Sequence, residues 1–277
     1  MTHGLKIAVL GAGYIGVAFA KAATGARHQV WAVRRTAVPA RDDGITWLAG
    51  DVSTGEVDGM PAQLDAVLLT IAPTGTSDSY RDTYPTAAAA AVTLARDSGA
   101  RALIYTSSTG VYGGRDGAWV TEDSPRLGAG DSNATLMEAE DIILRSGAAT
   151  PTVLRVAGIY GPGRDPRARM SAAAQLPQRG EYWVNLAHRD DIVSAVLHVL
   201  RLVDAPRVLN VSDGAPERAC EVARWLATAS GGDAAQLTFA NADRRSRSDQ
   251  RVRNVALVAT GWAPRFPSFQ HGFRSGL

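Results

Sequence analysis

The segment Gly11–Gly16, with the sequence GAGYIG, places three glycines between two patterned stretches of the chain. Before it, Leu5–Leu10 is a continuous apolar run, which predicts a buried β-strand. After it, Tyr14–Ala23 carries apolar residues at helical spacing, which predicts an α-helix. A strand that enters a helix through a tight glycine turn begins a β-α-β unit. This opening therefore restricts the chain to folds in which helices pack on a parallel sheet.

The alternation of strand and helix patterns continues along the chain as far as Val211. Further strands are predicted at Val30–Val33, Ala66–Ile71, Ala102–Tyr105, Thr152–Val156 and Val208–Val211, and helices at Thr86–Arg96, Asn133–Arg145, Asp191–Leu202 and Glu217–Ala229. We therefore predict an α/β fold, namely a Rossmann-type doubly wound parallel sheet with a small C-terminal substrate lobe. The predicted sheet domain spans residues 1–160 and 188–211, and the smaller lobe spans residues 161–187 and 212–277.

Composition excludes several classes of protein. With 277 residues, 45% apolar and 20% charged side chains, the chain can bury a sizeable core, which excludes a disordered or collagen-like protein. Its 29 basic and 27 acidic side chains leave a net charge of +2, which argues against nucleic acid as a partner. No stretch reaches the length of a membrane span, and Cys220 is the single cysteine, so we expect a cytoplasmic protein without a membrane partner. No metal site is predicted.

Each glycine of the GAGYIG segment has a role in a dinucleotide-binding turn. The first permits the tight turn, the second lets the backbone approach a pyrophosphate, and the third lets the helix pack closely on the sheet. The N–H groups and the positive dipole end of the helix would then face the phosphates. We assign the following residues to cofactor binding: Gly11, Gly13, Tyr14, Ile15 and Gly16. The alternative is an ordinary glycine turn.

Two arginines follow the second predicted strand, at the place where a carboxylate would hold the ribose 2′-hydroxyl of NAD. The guanidinium groups of Arg34 and Arg35 suit a 2′-phosphate, because they can bind it through paired charge-assisted hydrogen bonds. NADP is therefore the favoured cofactor and NAD the alternative, unless the two arginines belong to a solvated loop. Asp51, after the third strand, is assigned to the adenine end of the cofactor, although it is equally suited to forming a turn.

Three segments in order carry a more specific signal: YTSSTGVYG at 105–113, RVAGIYGPG at 155–163 and NLAHRDD at 185–191. They resemble segments of the extended and atypical branches of the short-chain dehydrogenase/reductase superfamily, near the NAD-dependent epimerases and dehydratases. The resemblance covers nearly the whole chain and aligns Ser108 with the family's catalytic serine. The alternative role of Ser108 is to cap the strand end. We add Ala72, Ser107 and Tyr160 to the cofactor site.

The proton-transfer pair of that family, a tyrosine followed four residues later by a lysine, is absent here. Measured back from Glu140, its two positions hold Ser132 and Leu136. The chain contains only two lysines, and neither follows a tyrosine at this spacing. Another group would have to supply the proton. Tyr80 and Tyr84, four residues apart beyond the fourth strand, are the candidate donors, with helix packing as their alternative role.

These observations lead to one function hypothesis and two alternatives. We predict an NADP-dependent oxidoreductase that transfers hydride to or from a small carbonyl or imine without the tyrosine–lysine pair. An iminium substrate already carries its positive charge, so its reduction needs no strong acid. The alternatives are a non-catalytic NADP(H)-binding sensor or regulatory protein, which the missing pair also predicts, and an epimerase, dehydratase or isomerase on the same fold. A homodimer is expected by analogy with the superfamily alone.

Overall fold

The computed structural model describes residues 4–36, 42–52, 54, 57–72, 77–114, 116–147, 150–165, 175–176, 180–239 and 249–274; within these ranges, residues 77–82 and 175–176 are described by their backbone alone. The chain forms two compact units. Unit 1 comprises Met1–Val111, Ala129–Arg155 and Ile192–Leu209. Unit 2 comprises Tyr112–Gly128, Val156–Asp191 and Asn210–Leu277.

Strands and helices alternate through the first half of the chain. The strands are β1 (Lys6–Leu10), β2 (Gln29–Arg34), β3 (Ile45–Ala49), β4 (Ala66–Leu69), β5 (Ala102–Ser108), β6 (Ala118–Val120), β7 (Thr150–Val156), β8 (Gly158–Tyr160), β9 (Gln175–Leu176), β10 (Trp183–Val184), β11 (Leu186–His188), β12 (Val208–Val211), β13 (Glu217–Arg218), β14 (Thr238–Phe239) and β15 (Gln250–Val252). The α-helices are α1 (Tyr14–Gly25), α2 (Ser77–Asp97), α3 (Asp131–Leu144), α4 (Arg189–Val199), α5 (Ala219–Ala229), α6 (Val255–Ala259) and α7 (Phe269–Arg274).

A seven-stranded sheet with the order β12-β7-β5-β4-β1-β2-β3 organises the first unit. The pairs β1–β2, β2–β3, β1–β4 and β4–β5 are all parallel. Strand order reverses between β1 and β4, because β2 and β3 lie on one side of β1 while β4 and β5 lie on the other. In open α/β sheets, such a reversal opens a crevice at the carboxyl ends of the strands where ligands bind.

Strand β4 is apolar along its whole length and β1 is apolar after Lys6, as expected where helices cover both faces of a parallel sheet. Every residue of β4 is buried, and Ile7, Ala8 and Val9 of β1 have no exposed surface. Helix α1 buries Phe19, Ala20 and Ala23, while α2 and α3 pack against each other. The sheet and these helices thus hold the loop ends at the carboxyl edge in fixed positions.

The predicted α/β class and parallel sheet are confirmed, and the strands lie where the apolar runs placed them. The start predicted for α2 at Thr86 was wrong, because the helix begins at Ser77 and runs through Pro85. The prediction rested on the alanine-rich segment, which begins only at Thr86. The domain limits drawn from the sequence stay a prediction.

Unit 2 is built from short paired strands around an aromatic cluster. Its two-stranded sheets include β11–β8, β10–β13 and β15–β6. The cluster consists of Tyr160, Val222, Leu226, Phe269 and Phe273, with Leu186 and Trp225 packed against it. None of the helices in the described part of the chain combines the length and the apolar character needed to cross a bilayer.

Candidate functional site

The first glycine turn, between β1 and α1, requires glycine at two of its three positions. Gly11 has a φ of +94°, and a Cβ built on it would lie 2.8 Å from the carbonyl oxygen of Thr70. A Cβ on Gly16 would lie 2.4 Å from the carbonyl oxygen of Gly11. Any side chain at either position would therefore collide with backbone. The first glycine makes the turn and the third brings the helix close to it, in the roles expected from the sequence.

The middle glycine leaves open space beside the N-terminus of α1. Nothing lies within 4 Å of a Cβ built on Gly13, which is the N-cap residue and provides no side-chain cap. No acidic residue stands in the first turn of α1. The first N–H groups of an α-helix have no intrahelical acceptor, and they carry its positive dipole end. Tyr14 is partly exposed here, whereas Ile15 is buried. The open space beside Gly13 and the N–H groups of the first turn of α1 form a cradle that fits a pyrophosphate.

Arg34 and Arg35 lie beside the same turn. The N–H of Ala12 donates to the carbonyl of Val33 at 2.7 Å, which fixes the end of β2 to the glycine turn. Arg34 is the last residue of β2, and both arginine side chains are exposed. Both residues are exposed, and Arg34 directly follows Val33, whose carbonyl accepts the hydrogen bond from the glycine turn.

Asp51 belongs to the next loop along the same edge of the sheet. The N–H of Gly50 donates to the carbonyl of Arg34 at 3.1 Å. The carbonyl of Asp51 accepts the N–H of Thr54 at 3.1 Å and its hydroxyl at 2.9 Å. Asp51 therefore opens a turn, which is the alternative role that the sequence analysis gave it. Its assignment to the adenine stays a prediction. Ala72, three residues beyond β4, is exposed at this edge too.

Ser107 is engaged in a buried charged network. Its Oγ donates to Oε1 of Glu140 at 2.7 Å, and Nη2 of Arg155 lies 2.8 Å from the other oxygen of that carboxylate. The side chains of Arg155 and Glu140 are only 5% and 0% exposed. This network ties β5 and β7 to α3. The hydroxyl of Ser107 thus has a structural partner, while its cofactor role stays a prediction.

Ser108 lies next to an asparagine that the sequence analysis did not select. Oγ of Ser108 accepts the N–H of Gly110 at 3.1 Å, which is the capping role weighed from the sequence. A Cβ built on Gly110 would lie 3.3 Å from this Oγ and 3.1 Å from Oδ1 of Asn133. The two polar side chains therefore flank Gly110. The only signal for Asn133 in the sequence is its place directly after Ser132.

The positions that the sequence analysis aligned with the missing pair hold a serine and a leucine. Ser132 is exposed at the start of α3, and Leu136 is 7% exposed in the core. The assignment of Leu136 to the family's lysine position stays a prediction. Glu140, one turn further, is paired with Arg155.

The two candidate tyrosines lie on α2. The side chain of Tyr80 lies outside the described residues, whereas Tyr84 is 8% exposed. Burial raises the pKa of Tyr105 in β5 well above its usual value, with smaller contributions from Tyr84 and Glu140. Tyr84 therefore packs toward the sheet near Tyr105, as its alternative role required. A catalytic role for either tyrosine stays a prediction.

Tyr160, the remaining residue assigned to the cofactor, lies in the aromatic core of unit 2. It is 1% exposed and stacks on Phe273 with ring centroids 5.0 Å apart. His188 meets its ring edge-on at 5.1 Å. The phenol oxygen lies against Gly272, where a Cβ would come within 2.2 Å of it. The structure gives Tyr160 a packing role, and its contact with cofactor stays a prediction.

Two carboxyl groups are buried in the same unit. Burial, with a smaller contribution from the nearby Asp191, raises the pKa of Asp213 to about 7. Oδ1 of Asp213 accepts the N–H of Ala215 at 3.0 Å. Asp191 accepts the backbone N–H groups of Arg265 and Phe266 at 2.7 and 3.1 Å, yet burial still raises its pKa. Both carboxylates join segments of unit 2.

Comparisons with known proteins give a family model, a curated relative and similar solved structures. The model of the NAD-dependent epimerase/dehydratase family matches residues 7–212. Protein YeeZ of Escherichia coli K12 is 31% identical over 213 residues, which cover 74% of this chain and 77% of YeeZ. A candidate NAD-dependent epimerase/dehydratase from Methylobacillus flagellatus has a TM-score of 0.79 at 26% identity, over 98% of this chain and 97% of that one. A dTDP-glucose 4,6-dehydratase from Bacillus anthracis, solved with NAD, shares the fold at 18% identity, with a TM-score of 0.81 over 98% and 94% of the chains.

Proposed function

Because this chain belongs to the NAD-dependent epimerase/dehydratase family, we propose that it is an oxidoreductase that uses NADP and lacks the tyrosine–lysine pair. Its reaction is hydride transfer to or from a small carbonyl or imine. The proposed binding of NADP rests on one observation: the cradle at the N-terminus of α1 has two exposed arginines beside it. The bound nicotinamide supplies the hydride chemistry, and the chain supplies binding and orientation.

The cofactor would lie across the carboxyl edge of the sheet. The N–H groups of the first turn of α1 would hold the pyrophosphate, and Arg34 and Arg35 would hold the 2′-phosphate. Strand β5, which ends at Ser108, is separated from β1 by β4 alone. Neighbouring strands are about 4.8 Å apart, so Ser108 stands roughly 10 Å from the phosphate turn, on the side where the nicotinamide would extend.

Ser108 can orient a substrate but cannot serve as a strong acid. Its hydroxyl oxygen accepts the N–H of Gly110, and its O–H remains able to donate. General acids contribute roughly a hundred- to ten-thousand-fold to a rate. A reaction that must protonate an alkoxide would lose this rate enhancement here. Reduction of an iminium ion would lose nothing, because it needs no general acid.

Nucleotide titrations test the cofactor. We expect NADPH to bind at least about tenfold more tightly than NADH, since a charge-assisted hydrogen bond contributes roughly 1.5–3 kcal/mol. Arg34→Ala should remove most of this preference, whereas Arg145→Ala, at an 80% exposed side chain directly after α3, should not. Tighter binding of NADH by the wild type would refute the role of Arg34.

Two other functions are kept because particular observations favour them. The buried Leu136 at the lysine position favours an NADP(H)-binding sensor or regulatory protein. The dehydratase from Bacillus anthracis favours an epimerase or dehydratase on the same fold. Consumption of NADPH with a panel of carbonyls and imines distinguishes them. Binding without consumption supports the sensor, and product formation without net change in NADPH supports the epimerase or dehydratase.

A further inference from the structure

We propose that Asn133 is a substrate-binding residue whose Oδ1 accepts the N–H of a protonated imine, which makes imines rather than ketones the substrate class. This inference rests on the proposed hydride transfer and specifies its substrate. It starts from the two polar groups that flank Gly110, namely Oδ1 of Asn133 and Oγ of Ser108.

The carboxamide of Asn133 has a defined orientation. Its Nδ2 donates to the carbonyl of Ala129 at 2.9 Å, and a carbonyl oxygen can only accept a hydrogen bond. The nitrogen therefore faces Ala129 and the oxygen faces Gly110. Among the described residues, no donor bonds this oxygen. Asn133 thus offers an acceptor beside Gly110, the residue that Oγ of Ser108 also approaches.

Ser108 offers the complementary group. Its Oγ already accepts from Gly110, and its O–H has no acceptor within the described part of the chain. The pair therefore presents one donor and one acceptor, both neutral at any working pH. Glu140, the nearby carboxylate on α3, is held by Arg155 and Ser107.

An iminium ion can use the acceptor of this pair, whereas a ketone can use only the donor of Ser108. The iminium carries an N–H that Asn133 can accept and a positive charge that the amide dipole stabilises. The hydride of the reduced nicotinamide adds to the imine carbon, and the π electrons of the C=N bond become the lone pair of the amine nitrogen. No proton is needed from the protein. A ketone has only acceptor lone pairs, which would face the unpaired oxygen of Asn133.

The test compares a five-membered cyclic imine with cyclopentanone, using NADPH and the full chain. The wild type should consume NADPH with the imine and have a kcat/KM for cyclopentanone at least roughly a hundredfold lower. Asn133→Leu should lower kcat/KM for the imine at least roughly tenfold, mainly through KM, and leave the affinity for NADPH unchanged. Asn133→Asp, which keeps an acceptor, should retain imine activity. Glu138→Gln, at an exposed position on the same helix, is the control.

Each failure has a separate meaning. Absence of NADPH binding overturns the proposed function itself. Binding of NADPH with reduction of cyclopentanone as fast as the imine, or full imine activity in Asn133→Leu, overturns the role of Asn133 and leaves the oxidoreductase standing. NADPH binding without consumption of either compound also overturns the inference. If Asn133→Leu fails to fold, Asn133→Asp provides the test. Imine activity in the folded Asn133→Asp variant supports the role of Asn133, and loss of that activity contradicts it.

Discussion

At the scale of single residues, the buried carboxyl of Asp213 gives unit 2 a dependence on pH. It is 6% exposed, and its Oδ2 has no hydrogen-bond partner among the described residues. Burial raises its pKa to about 7, so the folded state holds a proton that the unfolded chain releases near pH 4. Stability from this group is present below that lower pH and is lost as the pH rises through about 7.

Asp213→Asn should remove this pH dependence, because the amide is neutral like the protonated acid. Between about pH 4 and 7, the wild type should lose up to about 1.4 kcal/mol of stability per pH unit relative to the variant. Urea unfolding at pH 5, 6, 7 and 8 measures the difference. Asp123→Asn, at an exposed site in the same unit, should follow the wild type. Parallel curves for Asp213→Asn and wild type would contradict the assignment.

The same substitution should lower the stability of the fold at one glycine of the turn and the affinity for NADPH at another. Gly11→Ala forces a Cβ into backbone at φ +94° and should cost roughly 2 kcal/mol or more of stability. Gly13→Ala meets open space at φ −88°, so stability should change by less than about 1 kcal/mol. Its Cβ would nonetheless occupy the approach to the helix N-terminus, so NADPH affinity should fall at least about tenfold. If Gly13→Ala binds NADPH as tightly as the wild type does, the pyrophosphate does not bind at this turn.

At the scale of elements, the buried pair Glu140–Arg155 holds α3 to β7. Glu140→Gln leaves the guanidinium of Arg155 buried without its countercharge, which typically costs about 3–5 kcal/mol. Asp141→Asn, next to it on α3, weakens an exposed pair with Arg145 and should cost less than about 1 kcal/mol. Denaturant unfolding of both variants checks the contrast. Equal losses would mean that burial does not set the strength of the α3 pair.

The elements that sequence patterns predicted best are those whose signal is local. Strand β1, the glycine turn and α1 follow from adjacent residues, and the structure reproduces them. The alanine-rich pattern placed the start of α2 too late, at Thr86, because the polar residues 77–85 that open the helix do not carry this pattern. The adjacent residues Ser107 and Ser108 cannot be assigned from sequence, because successive strand side chains alternate faces and only tertiary structure shows which one meets Glu140. Asn133 was missed for the same reason, as its position depends on how α3 meets the end of β5.

At the scale of the whole molecule, the charge composition and the family membership point the same way. All but two of the 29 basic side chains are arginines, which hold phosphates well but do not titrate near neutral pH. We therefore predict that the phosphate-binding half of a family member is retained. The positions aligned with the proton-transfer pair in the sequence analysis hold Ser132 and the buried Leu136. We expect such a chain to act on substrates that bring their own charge, or to bind the nucleotide alone.

Nucleotide binding to the folded state should stabilise the chain, because a ligand that binds only the native state shifts the unfolding equilibrium by mass action. At one hundred times its dissociation constant, NADPH should add about 2.7 kcal/mol. For a chain of this size, that gain raises the melting temperature by roughly 5 °C. A thermal-shift series with NADPH, NADP, NADH and NAD checks this, with the largest shift expected for the two phosphorylated nucleotides. Arg34→Ala should reduce their shifts to those of NADH and NAD, whereas Asp213→Asn, which alters only unit 2, should keep them. Equal shifts for all four nucleotides in the wild type would mean that Arg34 and Arg35 do not bind the 2′-phosphate.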